Sequence, residues 1–230
     1  MKPLKKLFFT AILSVTWSCA SAQVTYDYHV GLQSTFLTSD SIKSTPGFGI
    51  EFGGHSEAKI SPRFDFISST SIYFSQFNVT GYSFIASLTS FDTSYSNTAE
   101  TYYKVGLNYS LGAAFYIIPD KFSVSASIAA AANDIVYTGT NQDNFIGAHR
   151  GNYPAARAGD LAGFNIDYGP RVGLRYRLPK VAFSLEYFKG FGNITPNDKF
   201  RTTMNDVVLG IHFFIREYSI AKPYQNKLSK

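Results

Sequence analysis

The sequence predicts an all-β fold: an eight-stranded antiparallel up-and-down transmembrane β-barrel with short periplasmic turns and long extracellular loops. Three observations predict it. The N-terminus reads as an export signal, the chain behind it alternates apolar and polar residues over eight segments, and short and long connections follow one another in rotation.

At the N-terminus, Lys2, Lys5 and Lys6 precede the apolar run Leu7 to Trp17, and the small side chains of Ala20-Ser21-Ala22 close it. That is the three-part plan of a secretory signal, so residues 1–22 are expected to be a signal peptide cleaved after Ala22. An anchoring helix is the alternative, but the run is too short for a bilayer that needs roughly 20 apolar residues. Cys19 raises a lipoprotein alternative, for which Thr16-Trp17-Ser18 is a poor context.

Removing 22 of the 230 residues takes three of the 21 basic side chains and leaves 18 against 16 acidic ones, a mature charge of +2. The basicity is therefore partly a property of the signal, and nucleic acid is not an expected partner. The single cysteine leaves with the signal, which excludes a disulfide scaffold, cysteine-ligated zinc and a thiol nucleophile. Aromatic residues make up 17% of the chain, a density shared by β-sandwiches and by the interfacial girdles of membrane barrels.

A period of two places strands at about 24–36, 47–60, 63–77, 101–118, 121–136, 164–178, 181–190 and 205–215. The first two put Asp27, His29, Glu51, His55, Glu57 and Lys59 on one face. The third is placed by spacing, because Asp65, Ile67, Ser69, Ser71, Tyr73 and Ser75 do not separate from Phe64, Phe66, Ser68, Thr70, Ile72 and Phe74. The fourth sets Tyr103, Val105, Leu107, Tyr109 and Leu111 against Lys104, Gly106, Asn108, Ser110 and Gly112, and the fifth follows directly after Pro119-Asp120-Lys121. The sixth alternates most cleanly, with Phe164, Ile166, Tyr168, Val172 and Leu174 opposite Asp167, Arg171, Arg175 and Arg177. The seventh opposes Phe183, Leu185 and Tyr187 to Ser184 and Glu186, and the eighth opposes Leu209, Ile211 and Phe213 to Gly210 and His212.

Tight turns at Ser61-Pro62, Pro119-Asp120-Lys121 and Pro179-Lys180 rotate with long polar segments at about 37–46, 78–100, 137–163 and 191–204. Short and long connections therefore lie at opposite ends. Outer-membrane barrels have that asymmetry, and an even strand count returns both termini to the periplasm. Residues 23–215 are expected to form the barrel and 216–230 a basic periplasmic tail.

Strands in hydrocarbon must pair on both edges, since each unpaired backbone group costs several kcal/mol there. With the apolar face outward, the enclosed face holds charges of both signs. At about eight strands the lumen is only wide enough for side chains, so Glu51, Glu57, Lys104, Asp167, Arg171, Arg175, Glu186 and His212 are expected to pair as a structural polar network. Gly31, Gly49, Gly53, Gly106, Gly112, Gly169, Gly173 and Gly210 share that crowded face.

Three stretches carry a family resemblance: Tyr102-Tyr103-Lys104-Val105-Gly106-Leu107 with Pro119-Asp120-Lys121, Asp167-Tyr168-Gly169-Pro170-Arg171-Val172-Gly173-Leu174, and Ser184-Leu185-Glu186-Tyr187-Phe188-Lys189-Gly190-Phe191. They resemble the PorT-like outer-membrane barrel domain of Bacteroidota, which is similar in architecture to OmpA and OmpX barrels. The resemblance implies a component of a secretion or assembly complex. The family's last strand usually ends the chain on an aromatic residue, whereas here Phe213-Phe214-Ile215 is followed by further residues. The tail is thereby a candidate contact for a periplasmic partner or for anionic lipid headgroups.

No catalytic residue, cofactor or metal is expected. The rim histidine His149 has no serine and acid at assignable spacing, and no serine sits in a nucleophile motif; a lipid A-modifying enzyme is the third-ranked alternative. A metal held by His29, His55 and His212 is conceivable, but one histidine per strand fits satisfied core residues better. The expected surroundings are outer-membrane lipid and lipopolysaccharide, with a protein complex reached through the tail or the loops. In the loops, Tyr82, Phe91, Tyr95, Phe145, Arg150, Tyr153 and Arg157 form a candidate binding surface.

Overall fold

A computed structural model describes residues 23–39, 43–80, 99–137, 163–194 and 201–219. The regular elements among them are β1 (Gln23–Ser39), β2 (Lys43–Thr45), β3 (Gly47–Lys59), β4 (Phe64–Thr80), β5 (Ala99–Ile118), β6 (Phe122–Tyr137), β7 (Gly163–Arg177), β8 (Val181–Lys189) and β9 (Thr202–Ser219). β2 and β3 both pair with β4 and form one stave, interrupted at Pro46, which has no N–H to donate to a ladder. Nine ladder segments thus make eight staves.

All ladders are antiparallel. The sheet runs from β4 through β3, β1, β9, β8, β7 and β6 to β5, and a further β4–β5 ladder closes it on itself. The β1–β9 seam is paired from Gln23↔Ser219 to Ser39↔Thr202. No edge is left where the chain meets hydrocarbon, which is the condition for a sheet to span a bilayer. The last strand continues to Ser219, beyond the expected end at 215, so part of the expected tail belongs to the wall. The rest of the tail and residues 1–22 lie outside the described residues.

Alternation sets the faces. Along β7, Asp167, Gly169, Arg171, Gly173 and Arg175 are buried, while Ile166, Tyr168, Val172, Leu174 and Tyr176 are exposed. The exposed set includes Leu32, Phe48, Ile72, Leu107, Ile128, Leu185 and Leu209 from the other staves, so the wall is apolar outside and polar inside. β4, weakest in the sequence, obeys the same rule: Asp65, Ser69, Ser71, Tyr73 and Ser75 point inward. Its pattern was blurred because hydroxyls fill its inner face and Ser68 and Thr70 stand on its outer one.

The short connections lie at one end. Lys121 N–H donates to the Ile118 carbonyl at 3.0 Å, and Asp120 adopts a φ of 56°, a left-handed conformation that Asp tolerates better than most residues. The Lys59 ammonium reaches Asp120 Oδ1 at 2.8 Å across neighbouring turns. Register shifts flank the same rim, one opposite Tyr26/Asp27 in the β1–β9 ladder and one at Tyr116/Ile118 in β5, as bulges at barrel rims commonly do. Inside, crowding demands glycine where rings enter the lumen. A Cβ on Gly106 would lie 2.5 Å from Tyr73 Oη, and one on Gly53 would lie 2.4 Å from His29 Cε1.

This architecture predicts that the protein from its native host is Sarkosyl-insoluble and migrates faster unboiled than boiled, because a closed barrel stays folded in detergent. Soluble material with no mobility shift would turn every face inside out and overturn the membrane assignment.

Candidate functional site

The lumen is the one place among the described residues where chemistry-bearing side chains converge. Arg171 and Arg175 sit four residues apart on β7, an even spacing, so both enter the barrel. Arg175 is held by Asp27 at 2.5 Å and Glu57 at 2.6 Å, and Arg177 also pairs with Glu57. Arg171 approaches Glu186 at 3.2 Å and Glu51 at 3.6 Å. Four staves supply these groups, so the pairs of β7 with β1 and β3 tie the wall across the lumen, while Arg171–Glu186 joins neighbouring staves. Nearer the extracellular end, Lys104 Nζ lies 2.8 Å from Asp206 Oδ1 and 2.9 Å from Oδ2, and 4.6 Å from the centre of the Tyr73 ring. Tyr73 in turn donates to Asn133.

Three histidines complete the network. His29 contacts Glu51 at 3.2 Å, His55 contacts Glu57 at 3.3 Å, and His212 Nδ1 contacts Asp27 at 2.8 Å. Their rings gather around His212, with centroid separations of 5.1 Å to His29 and 5.6 Å to His55. The strands bring together the three imidazoles that the sequence offers as a conceivable metal site. However, Glu51, Glu57 and Asp27 already engage them, and no group of three ligands among the described residues has the geometry to hold an ion.

His212 also places Nε2 at 2.9 Å from Ser184 Oγ. An ionised Asp27 can only accept, so Nδ1 carries the hydrogen and Nε2 is left to accept from the serine hydroxyl. Aspartate, histidine and serine thus stand in the order of a catalytic relay. What adjoins Ser184 is a cavity of about 30 Å³ lined by residues including His55, Glu57, Arg171, Arg175 and Glu186. That holds about two water molecules, so an acyl substrate has no place beside the hydroxyl. Asp27, shared with Arg175, is also committed to the wall-to-wall ion pairs.

Apolar side chains stand at both ends of the described lumen. At the turn end, Phe214 lies under the guanidinium groups of Arg177 at 4.7 Å and Arg175 at 5.7 Å. At the other end, Leu37, Phe77, Val79, Tyr102, Ile135, Ile194 and Met204 form an apolar stopper, with Phe77 stacked on Tyr102 at 5.6 Å. The sequence reading had no such plug.

Of the eight lumen residues named from sequence, seven take part in ion pairs or imidazole contacts. Asp167 differs. It is fully buried, and its Oδ1 accepts N–H groups of Tyr168 at 2.8 Å and Gly192 at 2.7 Å, so it clamps the start of the β8–β9 connection. Asp206, the partner of Lys104, was missed. It shares the parity of Val208, Gly210 and His212, which was the available signal. The candidate loop residues Tyr82, Phe91, Tyr95, Phe145, Arg150, Tyr153 and Arg157 lie outside the described residues.

A closed sheet with an apolar exterior and a paired, plugged interior defines a small integral membrane β-barrel of the bacterial outer-membrane type. No family model matches the chain, and no curated protein matches it. Among solved structures it is similar to Ail, the attachment invasion locus protein of Yersinia pestis, crystallised with the heparin analogue sucrose octasulfate: 10% identity, 84% of this chain and 99% of that one, TM-score 0.46. It is also similar to Neisserial surface protein A, at 10% identity over 82% and 96% of the two chains with a TM-score of 0.45. The outer membrane protein OprG from Pseudomonas aeruginosa follows at 8% identity, 85% and 97% coverage and a TM-score of 0.44.

The network predicts a steep cost for unbalancing it. Replacing Arg175 by alanine strands Asp27 and Glu57 and should cost about 3–5 kcal/mol, whereas Ser184→Ala, losing one hydroxyl contact, should cost about 1–3 kcal/mol. Urea titration of the refolded barrel, read from the fraction of fast-migrating band, measures both; equal midpoints for Arg175→Ala and wild type would remove the network's structural role.

Proposed function

We propose that this chain is a non-catalytic outer-membrane barrel, a structural or accessory component of an envelope complex such as one for secretion or outer-membrane assembly. The carrying observation is the sealed lumen. Its charges are spent on one another and the cavity beside Ser184 measures only about 30 Å³, which supports neither a solute path nor a substrate pocket there. Function then falls to the surfaces that face other molecules. The resemblance of the Tyr102–Leu107, Asp167–Leu174 and Ser184–Phe191 stretches to PorT-like barrels favours a complex over a free-standing role.

Two experiments test this. In planar bilayers the purified protein should give no current above leak, and reproducible single-channel steps in wild type would overturn the sealed reading. In the native host, tagged protein should capture a partner that is lost when residues 220–230 are deleted. Loss on trimming 81–98 or 138–162 instead would support a surface binding protein acting through its loops, and altered lipid A in a deletion strain would support an enzyme.

A further inference from the structure

The inside-outside rule reverses near the extracellular end of the staves. Through most of the wall the outer face is apolar and the inner face polar. On β1 the inward residues run Gln33, Thr35, Leu37 while the outward ones become Ser34, Phe36 and Thr38. On β4 they run Ser75, Phe77, Val79 inward against Gln76 and Asn78 outward, and on β5 Tyr102 inward against Thr101 and Tyr103 outward. On β6, Asn133 gives way to Ile135 inside while exposed Asp134 stands outside, and on β9, Asp206 gives way to Met204. Apolar groups keep the outer face at this height at Phe36 on β1, Val136 on β6 and Phe164 on β7.

The new outer face is a hydrogen-bonded girdle. Asn205, buried beneath its neighbours, donates from Nδ2 to Thr38 Oγ1 at 2.9 Å and accepts from Tyr187 Oη at 3.1 Å, which holds those two hydroxyls on the outer face, and Thr101 Oγ1 donates to Asn78 Oδ1 at 2.9 Å. Just below it, Phe74 and Tyr103 stack on the outside at 5.7 Å. An amphipathic ring layer under uncharged amides and hydroxyls is the arrangement that suits the step from acyl chains to headgroups.

Alternation reports the solvent on each side. Lipid outside requires apolar residues outward, and water outside allows an apolar core inward, as in any soluble barrel. From Val24 to Ser34 a strand tilted about 40° climbs roughly 25 Å, the height of an outer-membrane barrel's apolar band. The reversal therefore falls where the hydrocarbon ends.

We propose that the outer leaflet meets the barrel at this girdle, whose uncharged donors and acceptors contact the lipid headgroup layer, and that the staves above it stand in water as a collar around its own hydrophobic core. The collar is a rigid base outside the membrane for the segments that leave it, and it exists whether or not the accessory role holds.

Single-cysteine variants of the mature chain, which has no other cysteine once residues 1–22 are removed, test the level. Thr38→Cys, Asn78→Cys and Asp134→Cys sit at the girdle or on its water side, and Leu32→Cys, Ile72→Cys and Ile128→Cys sit below it on the same strands. In phosphatidylcholine nanodiscs, each variant first shown to be heat-modifiable, the upper three should react with a membrane-impermeant maleimide at least tenfold faster than the lower three. Urea unfolding should erase the difference. Upper sites protected like the lower ones, or lower sites as reactive as the upper, would overturn the proposal.

Discussion

Everything in this structure depends on the cost of an unpaired backbone amide in hydrocarbon. Each such group costs several kcal/mol, so the β1–β9 seam must close from Gln23↔Ser219 to Ser39↔Thr202 and the β4–β5 ladder must complete the ring. Closure in turn divides the side chains into two populations that never exchange. Because the side-chain period is two, a slip of one residue of β1 at the seam would turn Asp27 and His29 toward lipid and Tyr28 and Val30 into the lumen. The charges therefore enforce register as strongly as the backbone enforces closure.

Once enclosed, the charges have no option but each other. A buried ion pair gains little over an apolar pair of the same volume, yet a buried ion that has lost its partner is costly. Arg171 and Arg175 are each approached by two carboxylates, and Glu51, Glu57 and Asp27 each carry an imidazole as well. The histidines thus finish what the guanidinium groups begin, each imidazole taking a further contact with one of these carboxylates. The Asp27–His212–Ser184 line fits this account, since each member is fixed by what it seals and not by access to solvent.

Strand identity was legible because lipid outside and a narrow lumen inside make the alternation strong, and the clearest segment, Phe164 to Leu178, is β7 almost to the residue. Faces were legible for the same reason, down to the inward placement of Asp27, Glu51, Lys104 and Arg171. Pairing was not, since parity says which residues share the lumen but not who meets across it; Asp206 went unnamed although it faces Lys104. Asp167 was read as one more ion because its real partners, the N–H groups of Tyr168 and Gly192, are invisible in side-chain chemistry. The strand ends were the hardest. At Phe77, Val79, Tyr102 and Met204 the apolar parity switches faces, so a rule tuned to lipid reads a continuing strand as the beginning of a loop.

That switch also bears on why the lumen is sealed twice by different means. A polar network can seal only where both walls offer partners, and its strength falls as water reaches it, because the effective dielectric rises. An apolar stopper has the opposite dependence, being driven by the water it excludes. Placing Leu37, Phe77, Tyr102 and Ile194 above the Lys104–Asp206 pair keeps bulk water away from the outermost ion pair, and Phe214 covers Arg175 and Arg177 at the turn end. The apolar groups keep the electrostatics strong, and the electrostatics fix the register that brings the apolar groups together. Neither seal would hold in the other's position, so their order along the barrel axis follows from the solvent each one faces.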